Sequence, residues 1–237
     1  MCCKTLDKKV SEYILTYMLK KRVRMNQAER RKSIIQAATL VFAQKGFRGA
    51  TTKDLAEAAD VSEALLYKHF PSKESLYASI EILRLRDSKT YPEFDKLRQM
   101  PPSTRRLVIC IQFLFTHYAG SQANVLPRLM AQSLLEDGMF ARTFLQSIKA
   151  EIFETLKGSL NAAKAAGDLV EDVKVYDLPI WFTHHLAMSF KLMDLPEKPA
   201  VGYNKSRRVV VDHIVRFALR GIGLKPSAIK KYYRPYS

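Results

Sequence analysis

The chain has 237 residues, a formal net charge of +16 and 47% hydrophobic residues, which is enough for one or two domains with a hydrophobic core. The excess of Lys and Arg favours a polyanionic partner, although charge alone does not say which one. No apolar run reaches the ~18 residues that a membrane span needs, and the three cysteines have neither metal-ligand nor redox spacing; we therefore expect a cytoplasmic protein with no metal site and no cofactor.

Residues 1–28 form an extension ahead of the first well-patterned helix. Its apolar residues with helical spacing are Val10, Tyr13, Ile14 and Tyr17, and a basic cluster follows at residues 20–24. One interpretation is a basic arm that contacts phosphates or a minor groove. The other is a solvated, disordered segment, or a chain whose translation begins at Met25.

A first helix is predicted over about Glu29–Lys45, with Gly46 as its C-terminal cap. Its apolar face consists of Ile34, Ala38, Val41 and Phe42. This face is suited to support the short helices that follow.

The next helix begins with a capping-box pattern at Thr51 and Asp54. Its apolar face is formed by Leu55, Ala56 and Ala59. The helical pattern stops at residues 60–62, where a tight turn is predicted.

A second short helix is predicted over Glu63–Phe70, with Ser62 as its N-cap. Leu66 and Phe70 have i, i+4 spacing and should point into the core. Pro71 cannot continue the helix. Two short helices with a three-residue turn indicate either a helix-turn-helix, whose second helix enters a DNA major groove, or an ordinary helical hairpin.

A family resemblance accompanies this spacing. The residues that carry it are Gly46-Phe47, Thr51-Thr52, Leu55-Ala56, Ala59, Val61-Ser62, Leu66 to Phe70 and Ser72 to Leu76. In order and spacing they resemble the N-terminal DNA-binding domain of the TetR family of transcriptional regulators, over about Arg30 to Ile80. Two positions depart from many relatives, which have Gly where this chain has Asp60 and Ala64. These departures place the operator sequence beyond prediction.

The resemblance implies which residues meet DNA. The positions that match family contacts to phosphates or base edges are Thr51, Thr52, Lys53, Tyr67, His69 and Lys73. Ala64 and Leu65 are suited to thymine methyl groups, and Glu63 either accepts from cytosine or only favours its helix N-terminus. Ser62 and Lys68 complete the predicted reading surface.

Beyond residue 80 the pattern stays helical. Helices are predicted over about Lys73–Asp87, Ser103–Ala119, Val125–Leu135, Met139–Ala166, Val175–Met193 and Ser206–Gly221. Gly167-Asp168-Leu169 is similar to a loop between two C-terminal helices of many relatives. The predicted fold is all-α, with a three-helix DNA-binding domain at 29–80, a larger helical regulatory and dimerisation domain at 81–224, and a basic, peripheral tail at 225–237.

The resemblance implies that the larger domain holds a small-molecule pocket and a dimer interface. Aromatic and histidine pairs with i, i+4 spacing are candidate pocket residues: Phe113 and His117, Phe140 and Phe144, and Trp181 and His185. Candidate interface residues on the last two predicted helices are Ile180, Ala187, Val211, Ile214, Val215 and Ala218. For both sets the alternative is burial within one subunit.

No catalytic motif is present, and Cys110 lies among aliphatic residues, as a buried thiol would. We therefore expect no enzyme. The sequence predicts a homodimeric transcriptional regulator, a repressor released from a palindromic DNA operator by a small-molecule effector, and not associated with a membrane. The alternative is a DNA-binding protein of the same fold without a small ligand, which organises DNA or acts through a protein partner.

Overall fold

A computed structural model of the chain describes residues 25–86, 92–120, 125–171 and 177–235. The all-α fold predicted from the sequence is confirmed, because the described residues form twelve α-helices. Their β-type pairing is limited to an isolated antiparallel bridge between Leu169 and Leu224. Residues 1–24 of the predicted extension, which include the candidate basic arm, lie outside the described residues.

The N-terminal part contains α1 (Gln27–Gly49), α2 (Thr52–Ala58), α3 (Glu63–His69) and α4 (Lys73–Arg86). Helix α1 begins earlier than predicted because Asn26 and Glu29 form a capping box, each side chain accepting the other's backbone N–H at 2.9 Å. Its helical conformation breaks at Gly46, the predicted cap, where φ is 72°. Glycine adopts this left-handed conformation without steric cost.

The core of this part is the one that the sequence indicates. The buried side chains that link its helices are Ile34, Phe42, Leu55, Leu66, Phe70 and Tyr77. Because α2 and α3 are only seven residues each, they depend on this packing more than on their own helix propensity.

The larger part begins with α5 (Pro92–Gln99) and α6 (Thr104–Gly120) and continues through six more helices. These are α7 (Val125–Leu135), α8 (Met139–Ile148), α9 (Glu154–Ala165), α10 (Asp177–Leu192), α11 (Arg207–Gly221) and α12 (Pro226–Tyr232). Helix α6 lies at the centre and contacts α5, α9, α10, α11 and α12. Leu107, Ile111 and Phe115 on α6 are fully buried.

Three elements differ from the prediction. A π-helical segment, Lys149–Phe153, separates α8 from α9 within what the sequence presents as one helix. Helix α5 has no counterpart among the predicted helices. The predicted peripheral tail is wrong for 226–233, since α12 buries Ala228, Ile229 and Tyr233 against the larger part. Its apolar residues are few and sit among lysines, so the local pattern hides the buried face.

The two parts meet where α1 packs on α7 and α4 packs on α8. Helix α4 runs through the predicted domain boundary after residue 80, so it belongs to both parts. Among the described residues, none of the helices is both long and apolar enough to cross a membrane.

Candidate nucleic-acid interface

The start of α2 is held by polar contacts that the sequence partly predicts. Thr51 Oγ1 accepts the N–H of Asp54 at 3.1 Å, and Asp54 Oδ2 accepts the N–H of Thr51 at 3.0 Å. Lys45 on α1 donates to Asp54 Oδ1 at 2.6 Å. Lys45 first, and then Thr51, hold the pKa of Asp54 far below its usual range, so this carboxylate is charged at every physiological pH. The predicted capping box is confirmed, and an ion pair ties it to α1.

The turn between α2 and α3 keeps its shape without a glycine. Asp60 adopts a left-handed conformation with φ of 51°. Its N–H donates to the carbonyl of Glu57 at 3.1 Å, and the N–H of Val61 donates to that of Ala56 at 3.0 Å. This pair of bonds is a Schellman motif. Asp60 therefore occupies the left-handed position of a standard helix C-terminal cap.

Helix α3 presents one face to solvent. Ser62 caps it by accepting the N–H of Leu65 at 3.1 Å, as predicted, and Leu66 points into the core. The residues of the predicted reading surface that are exposed on α3 are Glu63, Ala64, Tyr67 and Lys68, whereas Leu65 and His69 are half-buried. The face thus combines a carboxylate, a methyl group, a phenol and an ammonium.

Two contacts fix the angle of α3. The hydroxyl oxygens of Thr52 and Tyr67 lie 3.1 Å apart and share a hydrogen bond that links α2 to α3. The last residue of α3 is held as well, because Arg31 of α1 donates to the carbonyl of His69 at 2.5 Å and places its guanidinium 4.1 Å from the centre of the Phe70 ring. A cation at the C-terminal end of a helix is favourable there.

His69 is shifted toward its neutral form. Partial burial lowers the pKa of His69, and the nearby cations Arg31, Lys68 and Arg30 lower it further. At neutral pH the ring offers one donor and one acceptor instead of a positive charge.

The two lysines predicted to meet phosphate have different surroundings. The Lys53 side chain is 76% exposed, and its ammonium is 3.9 Å from Glu57 Oε1, a weak surface pair. The Lys73 ammonium donates to the carbonyls of Phe47 at 2.8 Å and Ala50 at 3.1 Å, and it lies 4.4 Å from the centre of the Phe47 ring. Lys53 is presented outward, while Lys73 also holds the chain between α1 and α2. Phosphate contact by either lysine stays a prediction.

The candidate pocket pairs pack with different neighbours. Phe113 stacks on Phe94 of α5, with ring centres 6.0 Å apart. Phe140 and Phe144 are buried against each other, and Phe140 also contacts Tyr77 of α4 at 5.7 Å. The second pair therefore belongs to the seam between the two parts.

The third pair lies on α10. Trp181 packs edge-on against Phe153 at 4.6 Å and stacks on the exposed His185 at 5.7 Å. The side chain of His117 lies outside the described part of the structure. Ligand contact by these residues stays a prediction.

For four of the six candidate dimer residues, the prediction of a place in the interface is corrected. Ile180, Ala187, Val215 and Ala218 are buried in the core of their own protomer, so they leave no surface for a partner. The most apolar face of each helix is turned inward, which is why hydrophobicity alone selected it. Val211 and Ile214 are partly buried and stay predictions.

Large apolar side chains are exposed elsewhere on the same two helices. Leu178 and Phe182 on α10 and Val209 and Phe217 on α11 point to solvent, with Phe182 at 63% and Phe217 at 66% exposure. On α10 the exposed stripe continues through His185, at i+7 from Leu178. Helices α10 and α11 contact each other, so both sets of exposed side chains lie on one pair of packed helices.

Three polar side chains that the sequence did not single out hold the reading helices: Arg31, Lys45 and Glu136. Glu136 bonds to a backbone 89 residues away. No local pattern signals such a contact.

Comparisons with known proteins agree with this geometry. A family model described as bacterial regulatory proteins, tetR family, matches residues 34–80. The chain is 30% identical over 153 residues to the HTH-type transcriptional repressor KstR2 of Rhodococcus jostii, which covers 62% of this chain and 71% of that protein. It is 25% identical over 190 residues to the HTH-type transcriptional repressor NicS of Pseudomonas putida, covering 75% of this chain and 88% of that protein.

Solved structures share the fold. One is the transcriptional regulator FadR of Bacillus subtilis in complex with stearoyl-CoA, with a TM-score of 0.59 and 18% identity, covering 81% of this chain and 98% of that one. At this identity the likeness concerns the fold.

Proposed function

Because the chain belongs to the tetR family of bacterial regulatory proteins and is a DNA-binding transcriptional regulator, we propose how it acts. It binds a palindromic operator as a homodimer, represses transcription there, and leaves the DNA when a small-molecule effector binds its larger helical part. Access to DNA places it in the cytoplasm.

The observation that carries the proposal is the exposed face of α3. Its polar and methyl-bearing residues are Glu63, Ala64, Tyr67 and Lys68. The Ser62 cap fixes the start of the helix, and the Tyr67–Thr52 and Arg31–His69 bonds hold its C-terminal half. A recognition helix has to present such groups to base edges without losing its own angle. Lys53, outside this helix, supplies a cation for the flanking phosphate.

The homodimer is proposed from the outward stripes of α10 and α11. An aromatic side chain on each helix, Phe182 and Phe217, is more than half exposed, and large apolar patches on a surface mark interaction sites. Two copies of this pair of helices, related by a two-fold axis, would form a four-helix interface. Such symmetry matches the two half-sites of a palindrome.

Release by an effector is supported by the family. The candidate pocket residues on described side chains are Phe113, Phe140, Phe144, Trp181 and His185. A ligand shifts the equilibrium only if it binds the DNA-released conformation more tightly. Since FadR of Bacillus subtilis is bound to stearoyl-CoA, acyl-CoA thioesters belong in a first screen of compounds.

Selection from random double-stranded DNA with the full chain tests the proposal. We expect enrichment of an inverted repeat whose half-sites lie about one helical turn apart, ~34 Å. Ala64→Glu should abolish this binding, since it places a carboxylate in the groove, whereas the matched change Ala166→Glu, at an exposed position of the larger part, should not. Selection of no sequence, or equal binding by Ala64→Glu, would contradict the DNA-reading role.

The effector is tested on the selected operator. Compounds that raise the melting temperature of the protein should also release it from the DNA. Stabilisation without release, or neither across a broad set, would instead favour a DNA-binding protein without a small ligand.

A further inference from the structure

Glu136 lies directly after α7, at the seam between the two parts, and grips the backbone that leads into the reading helices. Its Oε2 accepts the N–H of Phe47 at 3.0 Å, and its Oε1 accepts the N–H of Arg48 at 3.2 Å. A carboxylate that accepts two backbone N–H groups makes charge-assisted bonds, roughly twice as strong as neutral ones. This carboxylate fork joins residues 89 and 88 positions apart in the chain.

The backbone opposite is shaped for this contact. Gly46 has φ of 72°, which turns the next N–H groups toward the carboxylate. A Cβ at position 46 would lie only 2.3 Å from Glu136 Oε1. The glycine therefore serves both the left-handed turn and the close approach of Glu136.

Phe47 is held from both sides. Its N–H donates to Glu136, and its carbonyl accepts from the Lys73 ammonium at 2.8 Å. Its ring lies 5.0 Å from that of Tyr77, which in turn lies 5.7 Å from Phe140 of α8. The fork thus sits at the edge of an aromatic cluster that crosses the seam.

The held segment leads directly to the DNA-reading elements. Thr51, the N-cap of α2, follows Phe47 by four residues, and Ala50 between them is also held by Lys73. The Thr52–Tyr67 bond then passes the orientation of α2 on to α3. A rotation of the segment at Phe47 would rotate the whole reading surface.

We propose that Glu136 is a positioning residue for operator binding: its carboxylate fork fixes the angle of the reading helices against the larger part. In a dimer this angle sets the distance between the two α3 helices, and so the half-site spacing that the protein accepts. The inference rests on the proposed dimeric DNA-binding function. Through the Glu136 carboxylate, a movement of α7 or α8 is transmitted to the DNA-reading surface.

The test measures binding of the full chain to the selected operator and to versions with one or two base pairs added to or removed from the spacer. Glu136→Ala should weaken binding to the best spacing about tenfold, because the reading helices of the free protein then populate other angles and only a fraction of molecules is competent to bind. It should also reduce the preference for that spacing at least about threefold. Reading helices whose angle is no longer fixed can fit half-sites at other separations. Glu136→Gln keeps one acceptor and should fall between wild type and Glu136→Ala.

Two controls separate positioning from general damage. Glu197→Gln removes an exposed carboxylate elsewhere and should leave the spacing preference unchanged. Gly46→Ala should reproduce the effect of Glu136→Ala and add little to it in the double variant. Gly167→Ala, at φ of 70° with no atom within 4 Å of the added Cβ, reports the strain of a left-handed turn alone.

An unchanged spacing preference in folded Glu136→Ala and Glu136→Gln would overturn the proposal, as would full additivity with Gly46→Ala. Should Glu136→Ala fail to fold, Glu136→Gln decides. Failure of the wild type to select any operator would instead overturn the proposed function. Faster amide exchange at Phe47 and Arg48 in Glu136→Gln, but not in Glu197→Gln, would confirm that the Glu136 carboxylate protects these two N–H groups.

Discussion

At the scale of single residues, the neighbours decide what each side chain contributes. Lys53 and Lys73 are alike in the sequence, yet only Lys73 donates its ammonium to two backbone carbonyls. Cys110 is buried, as its aliphatic neighbours predict, and burial raises the pKa of its thiol to about 11. A thiol in this state is unreactive at neutral pH.

His184 carries a pH prediction at the same scale. Burial, with a smaller contribution from His185, lowers the pKa of His184 to about 4. The unfolded chain therefore binds a proton at this site more readily than the folded one, so stability is lost as the pH falls from about 6.5 to about 4, by up to about 3 kcal/mol. Denaturant unfolding at several pH values should show a shallower loss for His184→Phe than for wild type. Equal slopes would mean that His184 does not titrate differently on folding.

At the scale of elements, caps fix the residue at which a helix begins. Thr51, Ser62 and Ser206 each accept an N–H at the start of a helix, and all three can be read from the sequence because a cap involves residues at most three apart. The starts of α5 and α12 carry a similar local signal, a proline in the first turn at Pro92 and Pro226.

The turn at Asp60 yields a prediction for this scale. A non-glycine residue with φ of 51° is strained, and its negative charge lies at the C-terminal end of α2, where it is unfavourable. Asp60→Gly should therefore raise the free energy of unfolding by about 1 kcal/mol, less the entropy that glycine gains in the unfolded chain. Denaturant titration measures this change in the free energy of unfolding. Asn204→Gly, with φ of 50° in the loop before α11, is the matched change away from the reading helices; destabilisation by Asp60→Gly would show that the aspartate makes a needed contact.

At the scale of the whole molecule, the outward faces of α10 and α11 each carry a large exposed aromatic side chain, Phe182 at 63% and Phe217 at 66% exposure. The inward faces of the same helices complete the core around α6. Each helix therefore has a buried face and an exposed apolar face, and the helical period separates the two.

This division predicts the effect of two substitutions. Phe182→Glu and Phe217→Glu should each produce folded monomers at micromolar concentration, because a buried carboxylate without a partner opposes association by about 3 kcal/mol or more. Sedimentation velocity measures the oligomeric state. Leu135→Glu, at a side chain 82% exposed on α7, is the matched control and should remain dimeric. If both phenylalanine variants remain dimeric, the dimer interface lies on another surface.

Much of the N-terminal DNA-binding part was predictable because its determinants are local. The caps Thr51 and Ser62, the core residues Leu66 and Phe70, and the turn between them depend on spacings of a few residues. The exposed apolar residues of α10 and α11, which we propose as the dimer interface, were not predictable in this way. Periodicity shows that a helix has an apolar face, but it does not show which neighbour covers that face.

By itself, the sequence determined the all-α class, the helix-turn-helix with its caps, and the family to which the chain is similar, since each follows from short-range patterns. Only the tertiary structure decided that Ile180, Ala187, Val215 and Ala218 belong to the protomer's own core, and that α12 is part of it. It also decided that Glu136 bonds to Phe47 across 89 positions. Contacts of this range depend on how whole helices pack, and no local spacing encodes that packing.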